Sequence, residues 1–403
     1  MTGALTPPVR RFLLSVAVSR FGTGLTLPYT LILLHEVRGI PLPTVGLLLT
    51  FPALVGLAFV PLSGALVDRL GPRPVLAGAL LLQAAGTLGI AFATRPATAL
   101  PALLLQGAGL GPSFPAGNAL LNGLLDGPAT AARAFGLQFT LINAAIGAGT
   151  LVGSFVVDVH RPATFVVLYV VAALSAVGQV VLLPAGRHVT DARSEEKGSY
   201  REVLGDRTFR LLCLVTLLSA MTGYAALDTG LPAYGRVVAH LAPSTIGLAY
   251  TVNTVLIVAL QLPVMRWIGH WRRTRALAVA AVLWAASWCL LGLVHTALAA
   301  LAFAALFGLG EVFQSPAAQP LVNALASDRL RGRYNALSGS MFSIAFVVSP
   351  ALSGLLIGNG LGQVWIGGLV AGALLTALLL VRLRTALTDL QDGAASPVRP
   401  SPL

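Results

Sequence analysis

Stretches of about 20 apolar residues recur along the whole chain, parted by short polar or charged breaks. A helix of that length rises roughly 30 Å, the thickness of a bilayer's hydrocarbon core. The apolar positions are continuous and do not alternate, which argues against spanning strands. Lipid also demands that each segment satisfy its own backbone hydrogen bonds. The pattern predicts an all-α membrane protein with twelve spans, over 12–35, 44–67, 74–94, 98–124, 134–158, 163–184, 208–234, 243–268, 275–295, 297–325, 334–358 and 364–383. The only long polar stretch is 185–207, which contains RSEEKGSYRE. It reads as a linker between two six-span halves, 1–184 and 208–384. The tail, 385–403, contains Pro and Ser and is expected to be mobile.

Composition agrees and adds limits. The chain has 403 residues, 56% hydrophobic and 10% charged, with a mean hydropathy of +0.84, more apolar surface than a soluble domain could cover. Gly (43) and Pro (25) are abundant, as membrane helices tolerate. Cys213 and Cys289 lie inside apolar runs, so no disulfide framework is implied. The first run is too long for a signal-peptide core and lacks a clear cleavage site.

The net charge of +12 could suggest nucleic acid, but its placement argues otherwise. Of 26 Arg and Lys, 21 fall at the N-terminus, in the even-numbered loops or in the tail. The other side holds Arg38, Arg95, Arg161 and Arg236, and Arg20 lies within span 1. Basic loops mark the cytoplasmic side, so both termini are expected in the cytoplasm. One Lys against 25 Arg hints at a GC-rich genome and a bacterial plasma membrane.

An internal repeat supports the two halves. FPAGNALLNGL (114–124) aligns with SPAAQPLVNAL (315–325), and TVGLLLT (44–50) with TIGLAYT (245–251), both at an offset of 201. Order and orientation are the same in both halves, so these are parallel repeats, an arrangement of carriers with a midplane site between them.

GALVDRLGPRPV (64–75) places an acid and two Arg between spans 2 and 3. Here the chain resembles the major facilitator superfamily, whose loop motif runs Gly-x-x-x-Asp-Arg-x-Gly-Arg-Arg/Lys. Gly64, Asp68, Arg69, Gly71 and Arg73 match it, with Pro72 in place of the first basic residue after Gly71. The resemblance implies a conformational latch. Asp68 would face the N-terminal end of span 11, near Arg333, and hold the cytoplasmic side closed. The matching stretch of the second half, VMRWIGHWRRTR (264–275), has no Asp, so the latch is one-sided. NAAIGAGTLVGS (143–154) resembles the span 5 motif of the family's antiporters, with Gly147, Gly149 and Gly153 suited to close packing. Thr150 stands where Pro is expected and Ser154 replaces the last Gly, whereas span 11 keeps Pro350 and Gly354. RGRYNALSGS (331–340) resembles the family's drug/proton antiporter branch, the multidrug exporters.

Three ionisable residues lie well inside spans: Arg20, Asp228 and Glu311. Each costs roughly 2.5–3.5 kcal/mol even on the mild scale, so each needs a purpose. The resemblance makes spans 1, 4, 7 and 10 the cavity lining. Glu311, Gln314 and Gln319 then form a polar stripe with Ser315, Tyr224 and Asp228 lie one turn apart, and span 4 adds Gln106 and Asn118. Glu311 is the candidate proton-coupling site. Arg20 would either offset its charge as a standing ion pair or hold an anionic group of the substrate. Gln83 and Gln179 read as amides that join neighbouring helices.

The expected function is a secondary transporter that exports small amphipathic molecules, coupled to protons, with no cofactor and no metal. The alternative is an importer or uniporter of a small polar metabolite. An enzyme is disfavoured, since HExxH, clustered His ligands and a GxxxxGK[ST] loop are all lacking. The expected partners are a small-molecule substrate, protons and the lipid bilayer, with no nucleic acid, and the expected working unit is a monomer.

Overall fold

The computed structural model describes residues 5–125, 128–185, 200–293, 295–327 and 329–393, and every regular element among them is a helix. Spans 1 to 6 run over Pro7–Val37, Leu42–Leu48 with Phe51–Leu70, Pro72–Phe92, Pro96–Asn122, Pro128–Val156 and Pro162–Leu182. Spans 7 to 12 run over Arg207–Val237, Pro243–Trp267, Arg273–Leu293, Ala297–Leu325, Arg331–Gly358 and Gly362–Thr385. Several helices extend beyond their apolar runs, because a polar first turn can still make intrahelical hydrogen bonds. Pro7, Pro72, Pro96, Pro162 and Pro243 each open a helix. Proline costs little there, since the first N–H groups have no partner in the helix anyway.

Eleven of these helices are long and apolar enough to cross a membrane by length and composition. Pro96–Asn122 is long enough at 27 residues but is diluted by Gly, Pro and amides. Its glycines serve close packing. A methyl group on Gly107 would meet Pro52 of span 2, and one on Gly109 would meet Ala79 of span 3.

Three spans are interrupted. Span 1 tightens to a 3-10 turn at Leu27–Tyr29, around Pro28, and ends in a π turn at Leu33–Val37. Span 2 loosens at Leu49 and Thr50, just before Pro52. Span 7 breaks at Gly223, where a side chain would collide with the Trp284 ring at 2.6 Å.

Packing reproduces the repeat. Span pairs 1·5, 1·6, 2·4, 3·4 and 3·6 in the first half recur as 7·11, 7·12, 8·10, 9·10 and 9·12 in the second. The cores differ, however. The second half stacks Trp284, Trp288, Phe303 and Phe307, with Trp365 edge-on to Trp288. The repeat-related positions of Trp284, Trp288 and Phe307 are Gln83, Thr87 and Gln106, so the first half is polar at the same depth.

The halves meet through spans 2·11 and 5·8, and through the C-terminal end of span 1 against span 7. All the closest approaches lie toward the Arg-poor face. Gly46 packs on Pro350 and Gly354, Gly147 on Thr254, and Gly247 on Tyr29 and Ser154. Thr150 and Thr251 share a 3.1 Å hydrogen bond. Beyond them Arg236 grips Glu36 with two hydrogen bonds, 2.7 and 2.5 Å. At the Arg-rich end the same helices part. A methyl group on Gly64, Gly136 or Gly339 would meet nothing within 4 Å, and Leu262, Met265 and Trp267 are exposed. The molecule is thus sealed at its Arg-poor face and open at its Arg-rich face.

Most of the expected linker, residues 186–199, lies outside the described residues. Its end forms a short helix, Tyr200–Gly205, whose Glu202 pairs with Arg329 at 2.6 Å. Asp206 then caps span 7, accepting from the Thr208 and Phe209 amides and from the Tyr334 hydroxyl. The tail departs from expectation. Residues 394–403 lie outside the described residues, but those up to Gly393 fold back onto the loop between spans 8 and 9. Asp392 is fully buried there and accepts 2.8 Å hydrogen bonds from the amide and hydroxyl of Thr274, while Asp389 pairs with Arg272 at 2.6 Å. An acid thus reaches the basic loop that lacks one in its own sequence.

Candidate functional site

Two small cavities of about 40 and 30 Å³, lined by both polar and apolar side chains, lie in the Arg-rich half of the membrane spans, one in each half of the chain. The first is lined by spans 1, 3, 4, 5 and 6 and carries Arg20, Asn118, Gln138 and Gln179. The second is lined by spans 7, 9, 10 and 11 and carries Ser219, Gln314, Gln319 and Ser338. They are counterparts in the repeat: Ser113 corresponds to Gln314, Asn118 to Gln319, Gln138 to Ser338 and Ile142 to Phe342.

Charge is divided between the halves. Arg20 stands in the first cavity and makes no hydrogen bond or ion pair with any described residue, so it does not pair with Glu311 in this conformation. Glu311 is buried in span 10, with Asn253 of span 8 beside it and Asp228 near enough to interact electrostatically. The Asn253 side-chain nitrogen is itself buried without a partner and lies over Gly308, one turn from Glu311. Tyr224 packs edge-on against Trp284, whose indole ring also covers Gly310. The Tyr250 hydroxyl donates to the backbone carbonyls of Leu227 and Asp228, at 2.7 and 3.3 Å.

The polar stripe of span 10 is shared among neighbours. Gln314 and Gln319 reach the second cavity, and Gln319 also donates to Asn335 of span 11. Ser315 instead accepts a 2.9 Å hydrogen bond from Gln261 of span 8. In span 4, Asn118 faces the first cavity, while Gln106 turns to Thr87 of span 3. Gln83 joins spans 3 and 4 by donating to the Gly109 carbonyl at 3.1 Å. Gln179 departs from the reading of a packing amide: although buried, it bonds to no described residue and faces the cavity.

The loop residues occupy the open face. Gly71 has φ +85° and joins spans 2 and 3, a conformation that favours glycine. Asp68, Arg69 and Arg73 are exposed, and Asp68 touches no described residue through a hydrogen bond or ion pair. Gly149 and Gly153 press on span 1, against Phe21 and Tyr29, while Pro350 and Gly354 press on Gly46. Three features lay outside the reading of the sequence: Gln138 in the first cavity, the Glu36–Arg236 pair and the Asp392 cap. Glu36 and Arg236 stand 200 residues apart, matching the repeat, and that spacing could have flagged them.

Two parallel six-helix halves, each with its own cavity, closely packed at one membrane face and parted at the other, define an alternating-access carrier. The chain belongs to the Major Facilitator Superfamily, whose sequence profile matches residues 12–242 and 237–402. It is a multi-pass membrane protein and a secondary transporter. It is similar to the multidrug resistance protein MdtH of Aeromonas salmonicida, 27% identical over 330 residues, covering 79% of this chain and 81% of that one. MdtH of Yersinia enterocolitica is 29% identical over 302 residues, covering 73% of each. Among solved structures, a mutant form of the nucleoside transporter NupG superposes with a TM-score of 0.79 at 11% identity, over 93% of this chain and 99% of that one. The D-xylose–proton symporter gives 0.74 at 12% identity, over 93% and 97%. At such identities the likeness to these structures is one of fold.

Proposed function

We propose that the protein exports small amphipathic molecules across a bacterial plasma membrane, driven by protons, as a monomer with both termini in the cytoplasm. The observation that carries this reading is the parting of the two halves at the Arg-rich face, where both cavities lie. If basic loops mark the cytoplasm, the cavities load from inside the cell. Similarity to relatives named multidrug resistance proteins supports export of drug-like compounds. Glu311 serves as the proton-coupling carboxylate, with Asp228, Tyr224 and Asn253 around it. Protonation acts by changing the relative stability of the inward- and outward-open states, since only a differential effect shifts such an equilibrium. In the outward-open state the cytoplasmic ends close, and Asp68 meets the N-terminal end of span 11 near Arg333. A methyl group on Gly64 would meet nothing within 4 Å, and Asp68 is exposed and makes no hydrogen bond or ion pair with a described residue, which supports a latch that is released in the inward-open state.

The test is accumulation of a panel of fluorescent amphipathic compounds in cells lacking major efflux pumps, with and without a proton uncoupler. Wild type should accumulate less than empty-vector cells, and both uncoupler and Glu311→Gln should abolish the difference. Pumping that survives Glu311→Gln at full pH dependence would move coupling elsewhere.

A further inference from the structure

The first cavity carries a chemical preference that the carrier reading alone does not supply. Arg20 brings five N–H donors to it, and the side chains of Asn118, Gln138 and Gln179 bring amides. None of these four groups bonds to a described residue, although the neighbouring Gln83 and Gln106 both do. Gln179 is only 6% exposed, so its free amide faces the cavity and little else. Arg20, Asn118 and Gln138 are half-buried and Gln179 is buried, so four polar groups with no described partner converge on one cavity and are available to a ligand.

No acid of this half can answer the charge. The first 184 residues contain Glu36, Asp68, Asp126 and Asp158, all at span ends or in loops. Beside the polar groups the walls also carry apolar side chains: Phe12, Val16, Leu76, Leu80, Phe114 and Ile142. Phe114 is 69% exposed, which leaves the cavity's rim both greasy and open.

We propose that this cavity holds the carboxylate head of an amphipathic monoanion, with Arg20 gripping it and the three amides completing its hydrogen bonds. A carboxylate's two oxygens match the fork of one guanidinium. One cation against one anion also leaves the loaded site neutral, which is what crossing the apolar interior requires. A dianionic phosphate would leave one charge uncompensated. The apolar body of the ligand lies on Phe12, Phe114 and their neighbours and extends into the space between the halves. This inference rests on the carrier reading and names its substrate class: lipophilic acids before lipophilic cations.

The test is equilibrium binding to the purified full-length protein in detergent, using dansyl-labelled undecanoate, its methyl ester and tetraphenylphosphonium. Wild type should bind the carboxylate at least about tenfold more tightly than the ester, as a charge-assisted bidentate contact implies. Arg20→Met should erase that preference, Arg20→Lys should keep part of it, and Gln179→Leu should weaken carboxylate binding several-fold. Ligand-free Arg20→Met should melt no earlier than wild type, because it removes a half-buried charge that pairs with no described residue. Equal binding of acid and ester by wild type overturns the proposal, as does an undiminished preference in Arg20→Met. Earlier melting of Arg20→Met with an unchanged preference in Gln179→Leu would assign these groups to the fold instead. Binding is read without transport, so the two readings fail separately. Failed efflux with the preference intact refutes export alone. A lost preference with efflux of neutral compounds intact refutes this site alone.

Discussion

Replacing Gly46 with alanine should drive the carrier out of the conformation described above. A methyl group there would lie 2.5 Å from the Pro350 carbonyl oxygen and 2.7 Å from the Gly354 Cα, both backbone atoms that cannot rotate away. Spans 2 and 11 would have to separate by roughly 1 Å to restore ordinary contact, and close-packed interiors resist such shifts. Overpacking of this kind costs about 1–3 kcal/mol. The cost falls on one state only, because these helices part at this end when the carrier opens to the other side. The equilibrium should therefore move about 5- to 150-fold toward the state open at the Arg-poor face. Spin labels on Ala97→Cys and Leu298→Cys, in a background with Cys213 and Cys289 replaced, would report the spacing of the sealed ends. Leu298 is 78% exposed and the two positions are related by the repeat. The long-distance population should grow in Gly46→Ala and stay unchanged in Gly78→Ala, whose methyl group meets nothing. An unchanged distance distribution in Gly46→Ala, or the same change in both variants, would refute the reasoning.

Other expectations follow from the same contacts. Glu36→Gln should loosen the sealed face, because it strips the partner from Arg236 in a pair only 18% and 22% exposed. At that burial the loss should be about 1–2 kcal/mol, with the same labels moving apart and a Glu36→Arg, Arg236→Glu double variant recovering part of it. If the proposed latch closes at Gly64, Gly64→Leu should act oppositely to Gly46→Ala: it fits easily here but would obstruct that closure, so the labels should stay close under conditions that favour the state open at the Arg-poor face. Asp392→Ala should lower the thermal stability of the second half by about 1–2 kcal/mol, since it removes the cap on Thr274. A melting temperature unchanged from wild type would show that the docked tail contributes nothing. Gly149→Ala, whose methyl group would lie 2.2 Å from the Phe21 carbonyl oxygen, should reduce the yield of folded protein far more than Gly136→Ala.

The sequence by itself determined the class of structure. Apolar runs of spanning length leave helices as the only solution in lipid, and the 201-residue repeat sets two like halves side by side. The loop motif, the Gly-rich span 5 and the three intramembrane charges were visible as local signals. What they touch was not. Hydropathy treats Gln83, Gln138 and Gln179 alike, and all three line one cavity, yet Gln83 also ties two helices together while the other two have no described partner. That difference depends on how each helix is rotated against its neighbours, which is set by packing and not by composition. The Arg20–Glu311 pair looked possible from depth alone, but the two residues belong to different halves and form no ion pair in this conformation. Glu36 meets Arg236, and Asp392 caps Thr274, across 200 and 118 residues of chain. Contacts of that separation exist only once both helices have been placed, and the same is true of which membrane face is sealed. That choice belongs to a conformation, and one sequence must allow two.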